Sequence, residues 1–214
     1  DTPATIDENT PILPIGEYGI YEFVVGDCVN NPPDIYFPPL DPDDPPAPID
    51  ENCETAFAYN QNGIDGQTRY CFLTLKKSDA SYNPAGPENK NFNRWGWTNQ
   101  LLVKGTYNFD IYAAAGQCEL TKGTLVGSLN VDYQSNGNVV VTYNMNSGFK
   151  LSQVHIYVGN ARLPQKNGNF TVAPGQYPWV DDNLNMLSTY SYTFTGMSGN
   201  VYVVAHAVVC GAYN

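Results

Sequence analysis

Charge and proline divide this chain at Asn52 so sharply that the two sides cannot fold by the same rules. Residues 1 to 52 hold twelve of the 21 acids, none of the ten bases and eleven of the sixteen prolines. That arm carries −12, whereas the other nine acids and the ten bases leave +1 on residues 53 to 214, against −11 for the whole. Proline fixes φ near −65° and removes a backbone donor, which excludes helix through most of the arm. Asn30 to Asp50 is predicted to be extended and largely polyproline II, and at about 3.1 Å per residue roughly 20 residues span on the order of 60 Å. One stretch differs, the proline-free YGIYEFVV of Tyr18 to Val25. It reads as a strand, with Gly19, Tyr21, Phe23 and Val25 on its more continuous apolar face and Tyr18 and Ile20 on the other.

From Cys53 onward, short β segments are separated by Gly, Asn and Pro, without sustained helical periodicity. Eight strands are expected: Thr55 to Tyr59, Arg69 to Leu75, Thr106 to Ala113, Thr124 to Tyr133, Asn138 to Tyr143, Leu151 to Val158, Ser191 to Thr195 and Asn200 to Val209. Tyr107, Phe109, Ile111 and Ala113 alternate with Asn108, Asp110 and Tyr112, the pattern of a half-buried strand. Ser135-Asn136-Gly137 lies between two alternating runs and supplies the positive φ angles of a tight hairpin. Ser78 to Asn93 is a polar loop of a length usually reserved for function or disorder. Many short strands without intervening helices imply an all-β fold, an antiparallel β-sandwich of jelly-roll or immunoglobulin-like type spanning 53–214, with an extended N-terminal arm over 1–52.

The five cysteines include no CxxC pair and stand beside only two histidines, so disulfides are a better reading than zinc. No apolar run approaches the roughly 18 residues of a membrane helix. The start at Asp1 fits a mature product whose targeting segment has been removed. With disulfides, these features point to the cell exterior or cell surface. Neither side of the chain offers a basic face, which argues against nucleic acid as a partner.

Several segments together resemble a β domain of secreted and surface proteins of marine Bacteroidota: CETAFAY (Cys53 to Tyr59), NRWGW (Asn93 to Trp97), AAAGQC ending at Cys118, KGTLVG (Lys122 to Gly127), HIYVG (His155 to Gly159), TVAPGQY (Thr171 to Tyr177) and YVVAHAVVC (Tyr202 to Cys210). The resemblance spans Cys53 to Cys210. It implies an extracellular β domain with Cys53, Cys71, Cys118 and Cys210 as its disulfide set, and it supplies no catalytic residue. Of the three pairings open to four cysteines, Cys53–Cys71 with Cys118–Cys210 is expected, leaving Cys28 over.

His155 and His206 would form a two-histidine metal site if their strands were neighbours, but a structural site needs about four ligands, so ordinary strand histidines are the expectation. No GxSxG or comparable nucleophile motif occurs, and the chain is read as no enzyme. No cofactor is expected; Asp41, Asp43 and Asp44, or Asp181 with Asp182, are the acids that would serve calcium. Trp95, Trp97 and Trp179, with Tyr177, are candidates for a glycan platform, although core packing is favoured for Trp95 and Trp97. Asn169-Phe170-Thr171 is a glycosylation sequon. Two functions follow. The first is a structural subunit of an extracellular filament, its partners other copies of itself, assembled by adding Tyr18 to Val25 to a neighbouring sheet. The second is a carbohydrate-binding or adhesive module whose partner is a polysaccharide.

Overall fold

Alternation of apolar and polar residues decides which face of each strand leaves water, and here that face closes upon itself. The computed structural model describes residues 52–213. Twelve strands occur among them: β1 (Cys53–Tyr59), β2 (Arg69–Cys71), β3 (Trp97–Leu101), β4 (Gly105–Ala113), β5 (Thr124–Tyr133), β6 (Val139–Met145), β7 (Phe149–Gly159), β8 (Gln165–Lys166), β9 (Asn169–Phe170), β10 (Trp179–Asp181), β11 (Thr189–Phe194) and β12 (Val201–Gly211). Ten form one antiparallel sheet ordered β10-β7-β12-β1-β4-β5-β6-β11, with β3 also on β12 and β2 on β3. The remaining pair, β8 and β9, forms a small hairpin. The fold is all-β and antiparallel, as the sequence implies, and the sheet curls into a half-barrel so that its two halves face each other.

Residue size permits the curl. On the inner face, Ala113, Ala56, Ala207 and Val154 lie in register across β4, β1, β12 and β7. The opposite wall supplies Leu129, Val131, Tyr133, Val139, Val141 and Tyr143, all fully buried. Small residues on one wall leave room for large ones on the other, and the Tyr143 hydroxyl reaches across to donate to the His206 carbonyl at 3.0 Å. Burial pushes the Tyr143 phenol well above its ordinary pKa, so it stays a donor.

The outer face of β7, β12 and β1 is covered as well. Phe57, Tyr157, Tyr202 and Val204 pack beneath Tyr70, Phe72, Leu75, Phe92 and Trp97 from the cover segments. The polar loop Ser78 to Asn93 is ordered by Asn91, whose buried amide donates to the Leu73 carbonyl at 2.9 Å and the Asn83 carbonyl at 2.7 Å. At the other end of the cover, buried Asn99 accepts from Asn60 N–H and donates to the Ala58 carbonyl, both at 3.0 Å. Arg69 lies over the Tyr59 ring at 4.1 Å and is held by Asp65 at 2.8 Å.

Several expectations are corrected. Strand structure from Arg69 stops at Cys71, where Phe72–Thr74 turn as 3-10 helix. The run Trp97–Leu101 is a strand although it looks polar, because Thr98, Asn99 and Gln100 are buried between β2 and β12. Disulfides join Cys53 to Cys210 and Cys71 to Cys118, replacing the expected Cys53–Cys71 and Cys118–Cys210. The reason is register: Cys53 stands directly opposite Cys210 in the β1–β12 ladder. The Asn-Gly hairpin forms, with Gly137 at φ 88° and Gln134 N–H bonded to the Asn138 carbonyl, but Asn136 does not share the positive φ expected of the pair. No helix among the described residues is long and apolar enough to cross a membrane. Tyr18, Ile20, Tyr21, Phe23, Val25, Cys28, Asp41, Asp43 and Asp44 lie outside the described residues.

Non-reducing peptide mapping is expected to recover Cys53–Cys210 and Cys71–Cys118 peptides. Replacing both Cys53 and Cys210 with Ser should remove about 2–5 kcal/mol of stability in denaturant unfolding, since that bridge closes nearly the whole domain.

Candidate functional site

The outer face of the sheet carries one row in which polar groups replace apolar cover. Along it, Val180 of β10 stands opposite His155 of β7, which stands opposite His206 of β12, which stands opposite Phe57 of β1. Alternation puts both imidazoles under the cover layer, where His155 is 5% and His206 4% exposed. Two buried polar rings require partners. Their Nδ1 atoms lie 2.8 Å apart with the rings 5° from parallel, and His155 Nε2 lies 2.7 Å from Asp182 Oδ1. Phe57 closes the far side, its ring 4.9 Å from that of His206.

The hydrogen count of this chain follows from its end. A carboxylate can only accept, so His155 Nε2 carries a proton, and in the neutral ring Nδ1 is then the lone pair. The central hydrogen therefore belongs to His206 Nδ1, which leaves His206 Nε2 as an acceptor. That atom has no hydrogen-bond partner among the described residues, and His206 lines a cleft. His206 does not take a charge, because burial, reinforced by His155, lowers its pKa to about 3.

The cleft above these rings has a volume of about 340 Å³, with Thr55, Phe57 and His206 from the sheet and Asn93, Arg94, Trp95, Gln117 and Pro174 from the cover among its lining. Gly96 sets the position of Trp95. Its φ of 140° suits glycine, and a Cβ there would run into the Phe72 ring and come within 2.9 Å of Phe57. The Cys71–Cys118 bridge ties the Gln117 loop to the end of β2, holding Gln117 and Cys118 at a φ of 61° each.

The three tryptophans do not share a surface. Trp97 is 2% exposed against Tyr59, and Trp95 is half-buried with Phe57 and Trp97 edge-on to it at 5.2 and 5.8 Å. Trp179 sits at the opening of the half-barrel, stacked 3.6 Å from Tyr192 and donating to the Tyr190 hydroxyl at 2.8 Å. Tyr177 is buried among the cover residues. The strands of His155 and His206 are neighbours, the condition left open by the sequence, and the acid beside them, Asp182, was concealed by its distance in sequence. Asp181 instead lies 3.3 Å from the Tyr190 hydroxyl. Among the described residues, no group of three or more His, Cys, Asp or Glu is arranged to hold a metal ion. Asn169 is exposed on β9. No family model, curated protein or solved structure matches the chain.

Trp97→Ala is expected to cost about 3–5 kcal/mol through the cavity it leaves, and Trp95→Ala distinctly less, as measured by thermal and denaturant melts. A second expectation concerns acid. The folded pKa of His206 lies below the ordinary 6.5, so its contribution is complete above pH 6.5 and is lost as pH falls toward about 3. At 1.36 kcal/mol per unit the loss is on the order of 5 kcal/mol over that interval. His206→Gln should melt lower at neutral pH yet lose less between pH 6.5 and 4; an unchanged slope would remove His206 as the source.

Proposed function

We propose that this protein is a structural subunit of an extracellular filament, assembled when Tyr18 to Val25 of one copy adds to the edge of β11 in the next. The carrying observation is that edge. β11 pairs with β6 alone and stands at the end of the sheet, so its other side has no ladder partner among the described residues. Natural edges are protected by charge, proline, bulges or brevity. The six residues TYSYTF contain neither charge nor proline and pair with β6 in unbroken register, and β10, the other terminal strand, is only three residues long.

Side chains support the same occupant. Tyr190, Tyr192 and Phe194 of β11 pack on the core yet stay partly exposed. An added strand carrying Tyr21, Phe23 and Val25 on one face would cover them, while its backbone completes the ladder. The proline-rich connector, with a reach on the order of 60 Å, suffices to enter another copy. Strand exchange of this kind runs head to tail and gives an open polymer unless it closes as a ring. Two disulfides fit an oxidising compartment outside the cell.

A second reading, a carbohydrate-binding module, is favoured by the cleft at Trp95, which combines a half-exposed indole with Asn93, Arg94, Gln117 and Thr55. Deleting residues 1 to 29 separates the readings. Under the first, negative-stain images lose filaments and a folded monomer remains. Native material that is monomeric throughout, or filaments that survive the deletion, would sink strand exchange.

A further inference from the structure

Arg94 is an exposed cation on a cleft whose named lining includes no acid, and it has no salt-bridge partner among the described residues. Beside it stands the half-buried Trp95, whose aromatic neighbours among the described residues meet it edge-on; none stacks face to face. Below lies His206 Nε2, a lone pair fixed in place by His155 and Asp182. Thr55, Asn93 and Gln117 add a hydroxyl and two amides. The volume of about 340 Å³ falls within the roughly 300–1,000 Å³ typical of small-ligand sites.

These groups make different demands that one ligand class meets together. A cation without a salt-bridge partner among the described residues calls for an anion. A half-buried indole on the cleft lining calls for a flat apolar surface, which the C–H face of a pyranose provides. A buried acceptor on a neutral imidazole calls for a hydroxyl, because a carboxylate there would place lone pair against lone pair. An inorganic anion would satisfy Arg94 but has no apolar face to lay against Trp95.

We propose that the cleft over Phe57 and His206 binds an anionic sugar residue, its carboxylate or sulfate on Arg94, its ring against Trp95 and one of its hydroxyls donating to His206 Nε2. The inference rests on the second reading above and names the class of glycan. Asp182 and His155 act as positioning residues: they touch no ligand but hold His206 Nε2 as an acceptor. Asp182 is well placed for a test because its side chain is 54% exposed, so removing it leaves no buried hole.

The test uses the full chain, titrated calorimetrically with a uronic-acid hexasaccharide, a sulfated hexasaccharide and neutral cellohexaose, with histidine ¹⁵N shifts followed in parallel. Binding of an anionic sugar is expected, with the neutral one weaker by about tenfold or more, the worth of a charge-assisted contact. Arg94→Gln should erase that preference without altering the melting temperature. In the ligand-free protein, His206 Nε2 should show the shift of an unprotonated ring nitrogen and move on saturation with sugar; Asp182→Ala should mix the two tautomers and weaken binding severalfold. The uronate and sulfate arms decide which anion is preferred. Equal affinity for cellohexaose, unaffected by Arg94→Gln, overturns this inference and leaves the glycan reading standing. Binding of no sugar overturns both, as does occupation of the cleft by a peptide of residues 30 to 52 with no response to any saccharide. A protonated Nε2 in the free protein at neutral pH overturns the role given to His206.

Discussion

The pairing of β1 with β12 is the constraint on which the rest of this domain depends. It joins the first strand of the domain to the last, and the Cys53–Cys210 bridge locks its register across a sequence separation of 157. β12 also pairs with β7 and β3, so a single strand joins one wall of the half-barrel to the cover. Its inner residues Val203, Ala205, Ala207 and Val209 line the half-barrel, and its outer residues Tyr202, Val204 and His206 support the cover. Contacts of such long range bring large loop-closure costs before they return any burial, so folding is expected to be slow and to finish with β12. A bridge that restricts the unfolded chain across that whole loop acts where the cost is greatest.

Burial on both faces explains why the polar row lies where it does. An antiparallel sheet usually keeps one face wet, and residues at alternate positions are then free to be polar. In β12 that freedom is absent, so His206 must be neutral, with each ring nitrogen either bonded within the protein or opened to the cleft. The chain through His155 to Asp182 meets the demand on one side by leading hydrogen bonds out to solvent at β10, and the cleft meets it on the other. The cover cannot seal over Nε2 with apolar side chains without orphaning it. Packing and a ligand-sized opening are thus two results of one substitution in the alternation.

What could be read from sequence was local or compositional. The Asn136-Gly137 hairpin and the β4 to β6 meander follow from turn chemistry and alternation over a few residues, and structure and reading agree there. The strand β3 was hidden because its burial depends on tertiary hydrogen bonds of Asn99 that no local pattern announces. The same is true of the disulfides: neighbours in sequence were an inviting choice, but Cα register places Cys53 against Cys210. The two histidines were visible as residues and invisible as a pair, since the register that sets His155 opposite His206 joins two strands far apart in sequence. A signal did exist in the alternation of YVVAHAVVC and HIYVG, which puts each imidazole on the same face as large apolar residues.

The two ends of the sheet show how differently edges can be treated within one fold. At β10 the ladder is short, Asp181 is its last residue and Asp182 follows at once, so addition of a further strand there would bring carboxylates into the seam. At β11 the outward residues Thr189, Ser191 and Thr193 are exposed and neutral, while Tyr190, Tyr192 and Phe194 line the inner side. Among the described residues the ends meet through side chains, with Trp179 stacked on Tyr192, and near Leu151 the crossing segment at Leu187 bonds to β7 in both directions. That crossing pins the seam at one end of β11 and leaves its Phe194 end without a backbone tie to β7 or β10 among the described residues. A strand entering from that end would meet aromatic rings first and ladder groups next, with no charged residue of β11 to oppose it. Of the arm's acids Tyr18 to Val25 contains Glu22 alone, and in an extended strand Glu22 would fall on the face opposite Tyr21, Phe23 and Val25.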